Sequence, residues 1–201
     1  LIVSGGHTQI WHVEKNNSYK VIANTVDDAV GEAFDKGAKI LGLSYPGGPE
    51  IEKISKIGNP NKFSFSIPVV KNNKLNFSFS GLKTALLYKK KKLDNEGIVY
   101  SINDLGASYQ EALLNTLFDK LFKAIKMYKI SIISIVGGVS ANKEFRLKSK
   151  TFEKNNNVSI QFPDMDFCTD NAAMIAMAGY LKYKNNETSN IEILPNPNIS
   201  R

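Results

Sequence analysis

Residues 131–163 read SIISIVGGVSANKEFRLKSKTFEKNNNVSIQFP. The β-branched run SIISIV predicts a buried strand, since such side chains pack well on a pleated surface. Two glycines follow, and then Ser140 and Asn142, either of which suits the N-cap of a helix. KEFRLKSKTFEK reads as that helix, largely polar, and VSIQFP as a further strand. Ligands of open α/β sheets sit where strands end against the unpaired amides of helix N-termini. GGVSAN fits that description, with the Asn142 amide able to read an adenine or ribose edge. It fits an ordinary strand-to-helix turn equally well.

Upstream, SIND at 101–104 predicts a capping box, with Ser101 facing the amide three residues on and Asp104 answering back. Leu105, Tyr109, Ala112, Leu113, Leu117, Leu121 and Ile125 then fall on one face of a long amphipathic helix. Residues 50–100 lack a regular period and contain FSFSIPVV, LNFSFSGLKTA and a lysine run at Lys89–Lys92; they are expected to form an irregular insertion packed on a core. The run reads as a solvated face, with phosphate contact as the other reading. DDAVGEAFDKGAKILGL predicts a helix with Ala29, Ala33, Phe34, Ala38 and Leu41 on its apolar face, broken by SYPGGPE. Asp27 and Asp28 would stabilise its N-terminus. Asp35 stands four residues before Lys39, the spacing of a surface ion pair.

Positions 1–24 alternate as a β-hairpin, with Asn16, Asn17 and Ser18 as turn chemistry. SGGHT interrupts that pattern. Successive amides at Ser4, Gly5 and Gly6 could form an anion-binding nest, with hydroxyls from Ser4 and Thr8 beside it, or the glycines could mark a bulge. Downstream, TDNAAMIAMAGYLKYK closes as a helix, with Thr169 or Asp170 as N-cap; Ala172, Ala173, Ala176, Ala178 and Gly179 keep it slim. Hairpin, helix, insertion, helix, strand, helix, strand, helix implies an α/β layered fold with a mixed sheet. The expected divisions are 1–49, the insertion 50–100, the remaining α/β elements 101–185 and a tail 186–201.

Composition narrows the setting. The 201 residues are 42% hydrophobic and 22% charged. That balance suits a soluble globular chain and not a disordered or membrane one. Cys168 is the sole cysteine, which leaves no intrachain disulfide and fits a reducing, cytoplasmic compartment. The net charge of +7 permits a nucleic-acid partner without demonstrating one. The sequence opens at Leu1, inside an apolar strand, so an upstream part of a longer protein is expected. The two histidines, His7 and His12, are read as lying on opposite faces of a strand, so a metal centre built from this chain alone is not expected.

SGGHTQ, DDAVGEAFDK, YPGGPEIE, FSFSGLKT, GGVSAN and FCTDNAAMIA stand in this order along the chain. That set closely resembles the TsaD/Gcp family, the tRNA adenosine threonylcarbamoyltransferases that include the KEOPS catalytic subunit. The resemblance implies the ASKHA architecture of two ribonuclease-H-like lobes around a ligand. It implies transfer of a threonylcarbamoyl group from threonylcarbamoyl-AMP to the N6 amine of the adenosine beside the anticodon, in tRNAs reading codons that begin with A. By similarity Ile2, Val3, Ser4, Gly5 and Gly6 contact the adenylate, Asp35 the ribose hydroxyls with Gly48 and Glu52 nearby, and Asn142 the adenine side. Asp170 is implied as a ligand of one divalent metal, iron or alternatively zinc. That metal is completed by two histidines of an HxxxH helix that this sequence does not contain, so the chain alone is expected to be inactive. TsaB- and TsaE-like subunits are implied partners of the full-length protein, and no membrane. The alternatives are a small-molecule kinase of the same architecture and a non-catalytic, TsaB-like scaffold.

Overall fold

Val3 sits at the centre of the sheet, fully buried. The structure, a computed structural model, describes residues 1–14, 18–71, 73–190 and 192. Ile2–Val3 (β1) pairs antiparallel with Thr8–Val13 (β2), which pairs antiparallel with Tyr19–Asn24 (β3) across a register shift between Ile10 and Trp11. On the other side of β1 the Val3 N–H donates to Val136 O at 2.8 Å and the Val136 N–H to Leu1 O at 2.9 Å. Val136 continues Ile132–Ser134 (β4), which runs parallel to Ser159–Gln161 (β5). The order is therefore β3-β2-β1-β4-β5, antiparallel at one end and parallel at the other, the mixed sheet that the element order implied. Asn16 and Asn17 of the expected hairpin turn lie outside the described residues.

Val30–Leu41 (α1) buries Ala33, Phe34, Ala38 and Leu41, and ends at Gly42 in the left-handed region, φ 77°. Ile102–Tyr128 (α4) buries all seven residues of its expected apolar face. The two helices lock through the Tyr109 phenol, which donates to Ala33 O at 2.9 Å. Its ring lies where a side chain on Gly37 would be, and burial pushes its pKa up. The Ser101 hydroxyl accepts from the Asn103 and Asp104 amides at 3.2 and 3.4 Å. The reciprocal half of the capping box is not there, because the Asp104 carboxylate accepts from the Asn59 amide at 2.7 Å instead.

The segment 50–100 is more ordered than its pattern suggested. SYPGGPE ends no more than a short link, since Gly47–Ser55 already forms α2; Ser80–Asn95 forms α3. Phe77, Phe79, Leu82 and Leu86 are at most 1% exposed, so the segment supplies part of the core rather than lying on it. Its anchor is the Asp27–Asp28 pair: Asp27 serves the start of α3, while Asp28 joins α1 to α3. Asp27 accepts from the Phe79 and Ser80 amides at 2.7 and 3.2 Å and from both the Ser78 and Ser80 hydroxyls. Asp28 bridges Lys36 of α1 and Lys83 of α3. Burial pushes the Asp27 carboxyl up, but the bonds from Ser78, Phe79 and Ser80 outweigh it and hold it below its ordinary value.

Lys143–Asn156 (α5) completes the first unit, Leu1–Cys168. The second unit starts at Thr169 and contains Ala172–Lys184 (α6). Its N-cap is Asn171, whose side chain accepts from the Met174 amide at 3.0 Å, and not Thr169 or Asp170. Residue 191 and residues 193–201 of the expected tail lie outside the described residues. No helix among the described residues is long and apolar enough to cross a membrane.

Candidate functional site

The C-terminal ends of the parallel strands β1 and β4 run into glycine-bearing turns that touch. Gly137 has φ 103°, and a Cβ there would strike the carbonyl of Val3. The first turn of α1 closes on the same point: a Cβ on Gly31 would lie 2.7 Å from Ser4 O and 2.8 Å from Gly5 N. These atoms are backbone and cannot swing aside, so both glycines are required by the packing. The Gly31 amide donates to Ser4 O at 3.2 Å, and the Val30 amide to the buried Thr8 hydroxyl at 2.8 Å. Thr8 thus serves the helix start, a role its place in SGGHT did not reveal.

Gly5, Gly6, Gly48 and Gly138 are different, and share their openness with Gly81 of α3 and Gly179 of α6. A Cβ on any of them meets nothing within 4 Å, and none has φ in the left-handed region. Neither backbone strain nor packing asks for glycine at these four positions. Bare backbone here keeps adjacent space free, which is what close approach of a ligand to a main chain requires.

The nest geometry differs from expectation. The Ser4 amide donates to His7 O at 2.8 Å, and the Gly6 and His7 amides donate to the Ser4 hydroxyl at 3.3 and 3.0 Å. Ser4 Oγ therefore stands where an anion would, and only the Gly5 amide of the run lacks an acceptor among the described residues. An exposed hydroxyl held by two neutral bonds is worth about 1 kcal/mol per bond, so a phosphate can displace it by side-chain rotation. His7 lies in this turn and not on a strand, so the alternation argument for the two histidines does not apply; His12 packs against Tyr128, rings 5.0 Å apart and inclined at 42°.

Asp35 does not pair with Lys39. Its Oδ1 accepts from the Gly47 amide at 2.7 Å. That puts a carboxylate at the start of α2, where the helix dipole favours it. Gly47 is tightly enclosed, with its missing Cβ 2.6 Å from Asp35 Cα, whereas its neighbour Gly48 is open. One turn along α2, Glu52 borders a cleft of about 350 Å3 between α2, α4 and α5, together with Gln110, Glu111 and Lys143. Gln110 connects this wall to GGVSAN: its Oε1 accepts from Asn142 Nδ2 at 2.9 Å, while Asn142 Oδ1 caps α5 through the Phe145 amide at 2.9 Å. Asn142, not Ser140, is the cap. It keeps one N–H and one lone pair for a further partner. The buried Ser140 hydroxyl has no partner among the described residues.

Sequence reasoning missed two residues here. Gln110, 4% exposed, looked like one polar position on an apolar helix. Arg146 looked like part of a polar helix face. Its guanidinium donates to Ser140 O at 2.8 Å and Pro163 O at 2.7 Å, contacts Cys168 Sγ at 3.2 Å and stacks on Phe162. It ties the GGVSAN turn to the segment that leads into the second unit.

The first unit thus brings the 2–6 turn against Gly31 and Gly137, while Asn142 bonds Gln110 on the wall of the cleft that Glu52 borders. Asp35 holds the Gly47 amide beside Gly48 and lines a separate cavity with Lys39 and Tyr45. Asp170 belongs to the second unit, one residue before the α6 cap. Among the described residues no group of three or more His, Cys, Asp or Glu side chains is placed to hold a metal ion. Asp170 by itself offers a single carboxylate, short of the ligand set that a bound transition metal needs.

The profile of the TsaD family, described as tRNA N6-adenosine threonylcarbamoyltransferase, matches residues 1–177. A relative of that name from Thermosipho africanus is 49% identical over 201 residues, covering 99% of this chain and 60% of that protein. One from Thermotoga neapolitana is 44% identical over 200 residues, covering 100% of this chain and 60% of its own length. The chain spans about 60% of the length of the curated relatives it matches. Among solved structures, the crystal structure of HypF from T. kodakarensis aligns with a TM-score of 0.62 and 16% identity, over 85% of this chain and 22% of that one, a likeness of fold alone. With the mixed sheet, the paired glycine turns and six motifs in register, the chain belongs to the TsaD family.

Proposed function

We propose that this chain is the adenylate-holding part of a tRNA N6-adenosine threonylcarbamoyltransferase. The adenosine N6 attacks the carbamoyl carbon of threonylcarbamoyl-AMP; the bond to the phosphate oxygen breaks, AMP leaves and the amine gives up a proton. Electrostatic stabilisation and positioning are the tools such a step needs. The backbone of Ile2–Gly6 holds the phosphate, with Ser4 Oγ moving off the Gly6 and His7 amides as it binds. The free oxygen of Asp35 accepts from the ribose hydroxyls, Gly48 lets the sugar approach, and Glu52 and Asn142 border the base. Asp170 supplies one ligand to a divalent cation, iron or zinc, whose other ligands are histidines outside this sequence. TsaB- and TsaE-like subunits act with the longer protein.

The observation that supports this reading is that four of the six glycines with open space and no left-handed φ, Gly5, Gly6, Gly48 and Gly138, fall in the family's SGGHTQ, YPGGPEIE and GGVSAN motifs at strand ends and helix starts. The test completes the chain with the remaining portion of the protein. It is then incubated with unmodified tRNA, threonine, bicarbonate, ATP and an adenylate-forming synthetase. Threonylcarbamoyladenosine in the tRNA digest by mass spectrometry is expected. Its absence with a folded, complete protein, or a phosphorylated small metabolite in its place, overturns the reading.

A further inference from the structure

The basic excess of this chain is confined to one segment. Between Glu52 and Asp94 there are ten lysines and no aspartate or glutamate, whereas the rest of the chain carries sixteen basic and nineteen acidic side chains. A general lysine bias would act along the whole sequence and would not strip one segment of acids. The structure shows what becomes of those charges. Lys83 pairs with Asp28, Lys90 with Asp94 and Lys92 with Glu96 at 3.8 Å. Lys53, Lys56, Lys62, Lys71, Lys74 and Lys91 are exposed, and among the described residues no carboxylate lies within 4 Å of them. Such a set repels itself and is costly unless a polyanion meets it.

The segment is held as a defined surface. The Asn59 and Phe63 amides donate to Asp104 and Ser108 of α4, and Phe65 stands edge-on to Tyr109. Lys89 Nζ lies 6.0 Å from the Phe63 ring centre and 5.8 Å from that of Phe65, which joins this loop to the C-terminal half of α3. Phe63, Phe65 and Lys89 therefore lie together, the two rings half-buried against the core, and the exposed Lys62 adjoins them in sequence. One turn beyond Tyr88, itself 67% exposed, come Lys91 and Lys92. Lysines interleaved with aromatic rings are how proteins hold flexible nucleic acid: point charges on phosphates and flat rings for bases. A lipid surface needs an apolar face to insert; the apolar side of α3, Leu82 and Leu86, is buried in the core, and the exposed Ile57, Ile67 and Val69 lie outside the helices and form no amphipathic helix face.

We propose that this lysine surface, from Lys53 to Lys92, docks the phosphate backbone of RNA without reading its sequence. The choice of RNA rests on the function proposed above, and at Lys56 the surface reaches the cleft that Glu52 borders. The test is fluorescence anisotropy of the full chain with a short unmodified RNA stem-loop, between about 50 and 200 mM salt. The variant carries Lys62→Gln, Lys91→Gln and Lys92→Gln; a control carries Lys126→Gln, Lys150→Gln and Lys154→Gln. Removing three phosphate contacts should lower the slope of log affinity against log salt by about 2–3 and weaken binding by at least about tenfold. The control should stay within about twofold. Equal losses in both variants, no loss in the first, or tighter binding to phosphatidylserine vesicles than to the RNA would overturn the proposal. An AMP analogue should bind the first variant as it binds the parent chain. If that binding is absent in both while the RNA result holds, the adenylate reading fails by itself.

Discussion

Replacing Gly6 by Ala separates a glycine kept for the fold from one kept for a ligand. The added methyl meets no atom within 4 Å, and its φ lies outside the left-handed region. Folding should therefore gain rather than lose: fewer unfolded conformations stabilise by about 0.4–1 kcal/mol. For a chain of this size that is a rise in Tm of about 1–4 °C. Binding should move the other way. A methyl placed where phosphate oxygens approach the main chain costs about 1–3 kcal/mol, as overpacking does elsewhere, or roughly 5- to 150-fold in Kd. Gly5→Ala should behave alike. Thermal melts and calorimetric titration with a non-reactive threonylcarbamoyl-adenylate analogue, on the same preparations, give both numbers. A variant that binds as the parent chain does refutes the inference, and so does one that melts well below it.

Gly31→Ala should do the reverse. Helix propensity gains about 1 kcal/mol, but the new methyl would lie 2.7 Å from Ser4 O and force α1 off the turn. A net loss of about 1–3 kcal/mol in urea melts is expected. An unchanged midpoint would mean that α1 and the turn do not pack so closely. Asp35→Asn retains an acceptor for the Gly47 amide and should cost under about 1 kcal/mol of stability, yet weaken the adenylate analogue by about tenfold or more. The loss should shrink when the analogue lacks its ribose hydroxyls; an equal loss with both analogues contradicts the ribose role. Asp27 is pulled below its ordinary value when folded. Its contribution is therefore fully present above the unfolded carboxylate pKa, about 4, and disappears as pH falls through the lower folded value. Asp27→Asn should cost about 1–2 kcal/mol at pH 7 and flatten the loss of stability between about pH 5 and 2. An unaltered pH profile would show that the α3 anchor does not depend on charge.

Elements with a strong period were legible in the sequence. The apolar faces of α1 and α4 and the strands β4 and β5 follow directly from helical spacing and β-branched content. Residues 77–86 were not, because Phe77, Phe79, Leu82 and Leu86 alternate with Ser, Gly and Lys across a strand-like bridge and a helix start, so neither period persists. Only the tertiary bond from Asp27, some fifty residues away, shows why that helix begins there. At the site, the motifs located the right turns, but the division of labour among the glycines is three-dimensional. Gly31 and Gly137 answer to backbone atoms distant in sequence or in another strand, whereas Gly5 and Gly6 answer to none. Nothing in the sequence around Asn142 shows that Gln110, thirty-two residues upstream, takes one of its amide protons.

The most direct test is a crystal structure of the chain soaked with threonylcarbamoyl-AMP in a non-reactive form. The account predicts its phosphate against the Gly5 and Gly6 backbone, with Ser4 Oγ rotated away, and its ribose hydroxyls on the free oxygen of Asp35. A turn still closed by Ser4 at saturating ligand, or an adenylate bound elsewhere on the chain, would contradict it.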